Sequence, residues 1–188
     1  SACADRGINI TYNQSDFVDH NDFDRQYAKW EALDSKAVFI ADSLPYAKDL
    51  IEKIRAKNKE LPILSAGGFS FDDVIGLVGD DSAGIAYTAL YNPSAQKKSQ
   101  KKFNSKYSKK YGDAPKSFLA EKGYESIYIV AAAIRKSGKT DSESVAEQLH
   151  KMTNWQCVSN RYTFKRNGDP KGLKLYIVEV DGKTYHYN

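Results

Sequence analysis

Apolar positions in the first half of the chain switch repeatedly between two periods. Ile8, Ile10 and Tyr12 recur at every second residue, the alternation of a strand with one buried face. Phe23, Tyr27, Trp30 and Leu33 then recur at helical spacing. The unbroken run Ala37-Val38-Phe39-Ile40-Ala41 suits a strand buried on both faces. Leu50, Ile51 and Ile54 fall on one face of a helix that starts near Pro45. A third strand is predicted over 62–65 and a fourth over 83–91. Alternation at this spacing implies right-handed crossovers and a parallel sheet covered by helices.

The pattern changes after Asn92-Pro93, because 95–152 carries no strand signal. Phe103, Tyr107 and Tyr111 recur every four residues on one predicted helix, which Gly112 and Pro115 end. Tyr124, Ile127, Tyr128, Ala131 and Ile134 mark the apolar stripe of a second helix that stops at Ser137-Gly138. A short helix over 142–152 follows. From Tyr162 the signal is β again, with Asn167-Gly168 as a turn and Asp181-Gly182 as a hairpin signature between 178–180 and 184–186. The predicted organisation is an α/β lobe from 1–91 plus 162–188, interrupted by a helical segment over 92–161.

Net charge is +4, yet 94–122 holds nine lysines against Asp113 and Glu121, leaving the rest of the chain at −3. That stretch contains no Arg and no recognition motif, and its lysines surround an aromatic stripe as a solvated helix face does. No nucleic-acid partner is expected. Cys3 and Cys157 are too few for a disulfide framework, and the reading of two unpaired thiols stands slightly ahead of a bridge. No apolar run reaches the roughly 20 residues of a membrane helix. No basic-then-apolar leader opens these residues, as holds for any mature or excised chain.

Catalytic motifs are mostly missing. Gly138-Lys139-Thr140 and Gly182-Lys183-Thr184 lack the earlier glycine of a phosphate loop, with Ala133 and Ile177 in its place. His20, His150 and His186 are scattered, and Asp72-Asp73 and Asp80-Asp81 read as helix caps and loop residues ahead of a metal site. No cofactor is expected. Two loops stand out, because open α/β sheets bind ligands at the carboxyl ends of their strands. Asp42-Ser43-Leu44-Pro45 follows the second predicted strand, and Ala66-Gly67-Gly68-Phe69 follows the third. Ordinary turn chemistry explains each loop equally well taken alone.

The block FNSKYSKKYGDAPKSFLAEKGYESIYIVAAAIRKSG, with the turn-flanked strands after Tyr162, resembles the type I periplasmic solute-binding proteins of branched-chain amino acid ABC transporters. The resemblance covers nearly the whole chain, but only the carboxyl-terminal half of a typical member. It implies a non-enzymatic protein that captures a small polar ligand, an amino acid or related carboxylate, in the periplasm or outside the cell. Delivery would go to a membrane permease, and the precursor would carry a signal peptide. It further implies ligand contacts at Asp42, Ser43, Gly67 and Gly68, with Phe69 as a wall and Leu119 at the cleft, where core packing competes. Ser43 and Gly67 stand where members often place an aromatic or acidic residue. The amino-terminal lobe is missing, so self-association or a separate fragment is expected to cover the second helix's stripe. A ligand-sensing domain of a regulator, and a flavodoxin-like or metal-dependent enzyme using Asp42 or Asp72, are the rival readings.

Overall fold

A computed structural model describes residues 3–14, 22–93, 97–115 and 118–188. The chain divides into two compact units: 1–69, 73–87 and 179–186 form the first, and 70–72, 88–178 and 187–188 the second.

The first unit is built on α1 (Phe23–Ala32), β1 (Val38–Ile40), α2 (Leu44–Lys57), β2 (Ile63–Ser65), α3 (Val74–Val78) and β3 (Ile85–Ala89). β1, β2 and β3 run parallel and side by side, with Val38 opposite Ile63 and Ile63 opposite Ile85. Ile40, Ile63, Ser65, Ile85 and Tyr87 are buried, and so are Leu44, Ala47, Ile51 and Ile54 of α2. Period two on the strands thus meets period 3.6 on the helix, and each buried aliphatic side chain contributes about 1.5–3 kcal/mol. Phe23, Tyr27 and Trp30 pack ring to ring along α1, as their spacing predicts.

Arg55, buried on α2, has no carboxylate at ion-pair distance among the described residues. Its guanidinium donates to the carbonyls of Leu61 at 2.6 Å, Ala83 at 2.7 Å and Asp81 at 3.1 Å. Those carbonyls sit just ahead of β2 and β3, so one side chain ties α2 to the entry of both strands. Asp73 caps α3 by accepting from Gly76 N, and it also accepts from Tyr185 Oη at 2.6 Å. The capping reading of Asp73 therefore holds.

The five-stranded order is β1-β2-β3-β6-β7, where β6 is Tyr176–Val180 and β7 is Tyr185–Tyr187. Residues 179–180 and 185–186 of these strands belong to the first unit. Their turn forms as predicted, with Gly182 at φ 92° and the Asp181 carboxylate accepting from Lys183 N and Thr184 N. One predicted strand is absent. Among the described residues, 8–12 pair with no strand, and Ile8 and Ile10 are 57% and 58% exposed. The alternation is present, but no neighbouring strand offers a ladder.

The second unit contains α4 (Lys98–Tyr111), α5 (Leu119–Ser137), α6 (Ser142–Lys151), β4 (Trp155–Gln156) and β5 (Arg161–Tyr162). Gly112 at φ 88° ends α4 and left-handed Gly138 ends α5. Phe103 of α4 reaches Tyr124 of α5 with ring centroids 5.3 Å apart. Ile129, Ala132, Ala133, Met152, Cys157 and Tyr162 form the core, with Phe164 packed against it. Tyr162 and Phe164, which the β pattern assigns to the sheet, thus pack on α5 instead. The predicted stripe of α5 also turns out differently, since Ile127 is 74% exposed and Tyr124 and Tyr128 are about half exposed. The face that α5 buries holds Glu121, Glu125, Ile129, Ala132 and Ala133.

Replacing Arg55 by Met leaves three carbonyls without their donor. The variant is expected to lose about 3 kcal/mol in urea unfolding, and a loss under 1 kcal/mol would show that the guanidinium is not the tie.

Candidate functional site

Ser65, the last residue of β2, donates its hydroxyl to the carbonyl of Ile40, the last residue of β1, at 2.8 Å. The two strand ends are thereby held level, and the loops leaving them start side by side. Asp42 and Ser43 lie in the first loop, where the Asp42 carboxylate accepts from Ser43 N at 2.7 Å. Ser43 is the residue before α2, in extended conformation, and its side chain makes no capping bond. The first-turn amides of α2 have no intrahelical acceptor, and Pro45 brings none of its own.

Gly67 and Gly68 open the second loop, a 3-10 turn over Gly67–Phe71. A Cβ on Gly68 would lie 2.5 Å from the carbonyl oxygen of Asp42. The glycine is therefore required by contact between the two loops, a stronger reason than the ligand approach that its sequence position suggests. Phe69 is fully buried, its ring centroid 6.3 Å from that of Tyr87, so it supports the loop from beneath. The structure thus brings Asp42, Ser43, Gly67 and Gly68 together on one rim. Leu119 lies in the second unit at the first position of α5 and is half exposed.

This rim offers a carboxylate, a hydroxyl and the positive end of a 14-residue helix. Free amides and the helix dipole suit a carboxylate ligand, and Asp42 suits an ammonium group. Among the described residues, no group of three or more His, Cys, Asp or Glu is placed to hold a metal ion. A recess of ≈ 410 Å³ beside Trp30 and Pro62 lies at the amino ends of the strands, so it is separate from the rim.

The second unit contains polar chemistry that the sequence reading missed. Glu125 is buried and accepts from Tyr162 Oη at 2.6 Å, Ser159 N at 2.8 Å and Lys122 Nζ at 2.9 Å. Burial raises its pKa, but these three donors outweigh it and hold the carboxyl below the ordinary 4.5. Glu121 is also buried, and its Oε1 accepts no hydrogen bond among the described residues, though Lys122 Nζ forms an ion pair with it at 3.6 Å. Burial, and then the Glu125 charge, push the Cys157 thiol up to about 11, so it is unreactive at neutral pH. Both cysteines are free. The available signal was the four-residue spacing of Glu121 and Glu125 among apolar positions that share their face. Phe71 stacking on Phe118 at 5.5 Å was likewise not foreseen.

A family model described as "Periplasmic binding protein" matches residues 2–184. The chain belongs to the periplasmic binding protein family. No curated protein matches it by sequence. Solved structures share the fold of this family member. A leucine binding protein, LivK, from Thermotoga maritima superposes with a TM-score of 0.84 at 23% identity, over 98% of this chain and 52% of its own. The branched-chain amino acid substrate-binding protein LivJ from Streptococcus pneumoniae, in complex with isoleucine, gives 0.78 at 17% identity, over 100% and 55%. A substrate-binding protein from Desulfitobacterium hafniense, in complex with Leu, gives 0.76 at 20% identity, over 98% and 53%. The chain spans about half the length of these structures.

Gly68→Ala forces a methyl group against the Asp42 carbonyl. Thermal or chemical unfolding should show a loss of roughly 1–3 kcal/mol, and an unchanged midpoint would mean that the loops part freely. For Glu125 the folded pKa lies below the unfolded value. Its stabilisation is therefore full above about pH 4.5 and is lost as pH falls through the folded pKa. The melting temperature should drop as pH is taken below about 4.5, and Glu125→Gln should flatten that part of the profile.

Proposed function

We propose that this chain is part of a two-lobed solute-binding protein that captures an amino acid or similar small carboxylate for an ABC permease, outside the cytoplasmic membrane. The observation that carries this reading is the rim, where two loops leave adjacent parallel strands at one level and meet through Gly68 and Asp42. Family membership and the leucine and isoleucine complexes of similar structures support the same ligand class. In this reading the sheet-bearing unit is one lobe, and the helices of the second unit belong to the other.

Mechanism follows from the groups present. The α2 amino terminus and Ser43 hydroxyl receive the carboxylate, and Asp42 receives the ammonium group. No bond of the ligand changes, so the work of the site is differential affinity. A ligand held by both lobes stabilises the closed form over the open one by the contacts that only closure makes. A single wall makes only part of those contacts, which predicts weak binding by this chain alone.

Nuclear magnetic resonance of the isotope-labelled chain, titrated with leucine and isoleucine, tests the assignment. Shifts are expected only at millimolar ligand, and they should centre on Asp42, Ser43, Gly67 and Gly68. Shifts centred on the recess beside Trp30 would move the site, and saturation at micromolar ligand would contradict a one-walled cleft.

A further inference from the structure

The charged residues of α4 are all lysines. The helix carries Lys98, Lys101, Lys102, Lys106, Lys109 and Lys110, all exposed, and not one carboxylate. At about 100° per residue, Lys98, Lys102, Lys106 and Lys109 fall within an arc of roughly 80°. Among the described residues none of the six belongs to an ion pair. In α1, α2, α5 and α6, by contrast, a cation pairs with a carboxylate of the same helix or its cap, as Lys48 does with Glu52 and Lys151 with Glu147.

Helix stability does not explain this arrangement. Lys109 and Lys110 in the last turn suit the dipole, but Lys97 at the cap and Lys98 in the first turn oppose it. Lys98, Lys102, Lys106 and Lys110 follow each other at four-residue spacing, where like charges repel. That repulsion falls on a helix whose opposite side is firmly held. Gln100 is buried there, Ser99 Oγ donates to the carbonyl of Val158, Lys97 Nζ donates to that of Ser159 at 2.7 Å, and Phe103 packs on Tyr124. The lysine face lies opposite Gln100, so it is presented to solvent on a fixed helix.

The composition of the face selects its partner. Ser105 is the other residue among these lysines, and the face holds no apolar side chain and no Arg. Protein partners meet at apolar or aromatic centres from which lysine is depleted. Recognition of single phosphate groups favours the arginine fork. Point charges on flexible stems, spread along about 17 Å of helix, match instead a diffuse array of negative charge. A leaflet of anionic lipid is such an array. The positive surplus of the chain also lies here, since 94–122 is strongly basic and the rest of the chain has a net charge of −3. The resulting field turns α4 toward a negative surface.

We propose that α4 docks this unit on anionic phospholipid, with the lysine face on the headgroups and nothing inserted beneath them. This rests on the reading that the protein works outside the cytoplasmic membrane, and it adds a surface that gathers the protein at that membrane.

Sedimentation of the full 188-residue chain with vesicles, in the absence of amino acid, tests the proposal. Each lysine near an anionic surface strengthens binding about fivefold. Vesicles of phosphatidylcholine mixed equally with phosphatidylglycerol should therefore bind the chain at least tenfold more tightly than phosphatidylcholine alone. That binding should weaken at least tenfold as ionic strength rises from about 0.01 M to about 0.15 M. The triple variant Lys102→Gln, Lys106→Gln, Lys109→Gln should lose at least tenfold in binding with no fall in melting temperature. Lys139→Gln, Lys171→Gln, Lys183→Gln removes the same charge from other exposed positions and should bind within about threefold of the unaltered chain. Equal binding to neutral vesicles, indifference to salt, an α4 variant that binds undiminished, or a second variant that loses as much would each overturn the proposal. So would a polyglutamate peptide that occupies α4 more tightly than the vesicles do, because the partner is then an acidic protein. A failed leucine titration with vesicle binding intact would count against the solute-binding reading alone.

Discussion

A guanidinium held by three backbone carbonyls organises the sheet-bearing unit. Arg55 reaches Leu61, Ala83 and Asp81, so the entries of β2 and β3 are fixed to the last turns of α2 as well as to each other, where Ile63 N donates to the carbonyl of Gly84. A carboxylate partner would have fixed one point, whereas five donors in a planar fork fix several. Burial works against the charge and lowers the Arg55 pKa, yet the carbonyls keep its donors satisfied. With the strand entries fixed, parallel pairing sets the strand exits, and the exits carry the rim. Ser65 completes the chain of constraint by tying the exit of β2 to that of β1.

The second unit solves a different problem, namely how a helix can bury two glutamates. Glu125 succeeds because Lys122, Tyr162 and the backbone of Ser159 all donate to it. Lys122 also donates to Ser159 Oγ at 2.7 Å, so the helix and the 157–159 loop share one network. Such a network is strong only when complete. Glu121, one turn earlier, is less well served: its Oε1 has the Lys122 ammonium at 3.6 Å but no hydrogen bond among the described residues.

Much of this was legible in the chain. The strands at Val38, Ile63 and Ile85, the α1 and α2 faces, the break at Gly112 and the Asp181-Gly182 turn all follow from local rules. So does the candidate rim, because strand exits in a parallel sheet are determined by the order of elements. What escaped depends on partners distant in sequence. Periodicity marks 8–12 as a strand, but a strand exists only where another lies beside it. The apolar stripe of α5 names a face without saying whether anything meets it. Glu125 reads as a solvent residue until Tyr162 and Ser159, more than thirty positions later, are brought to it. Gly68 reads as freedom for a ligand, and the structure shows crowding against a carbonyl.

That crowding bears on how such a protein can change what it binds. Because Gly68 and Asp42 touch, the two loops of the rim cannot drift independently in sequence. Lengthening the first loop would displace the Asp42 carbonyl, and the second would have to be reshaped in the same step. Under the proposed solute-binding reading, new specificity at this rim is therefore expected to arise by exchange of both loops as a pair, or by substitution at Ser43, where the side chain alters chemistry without disturbing the backbone contact.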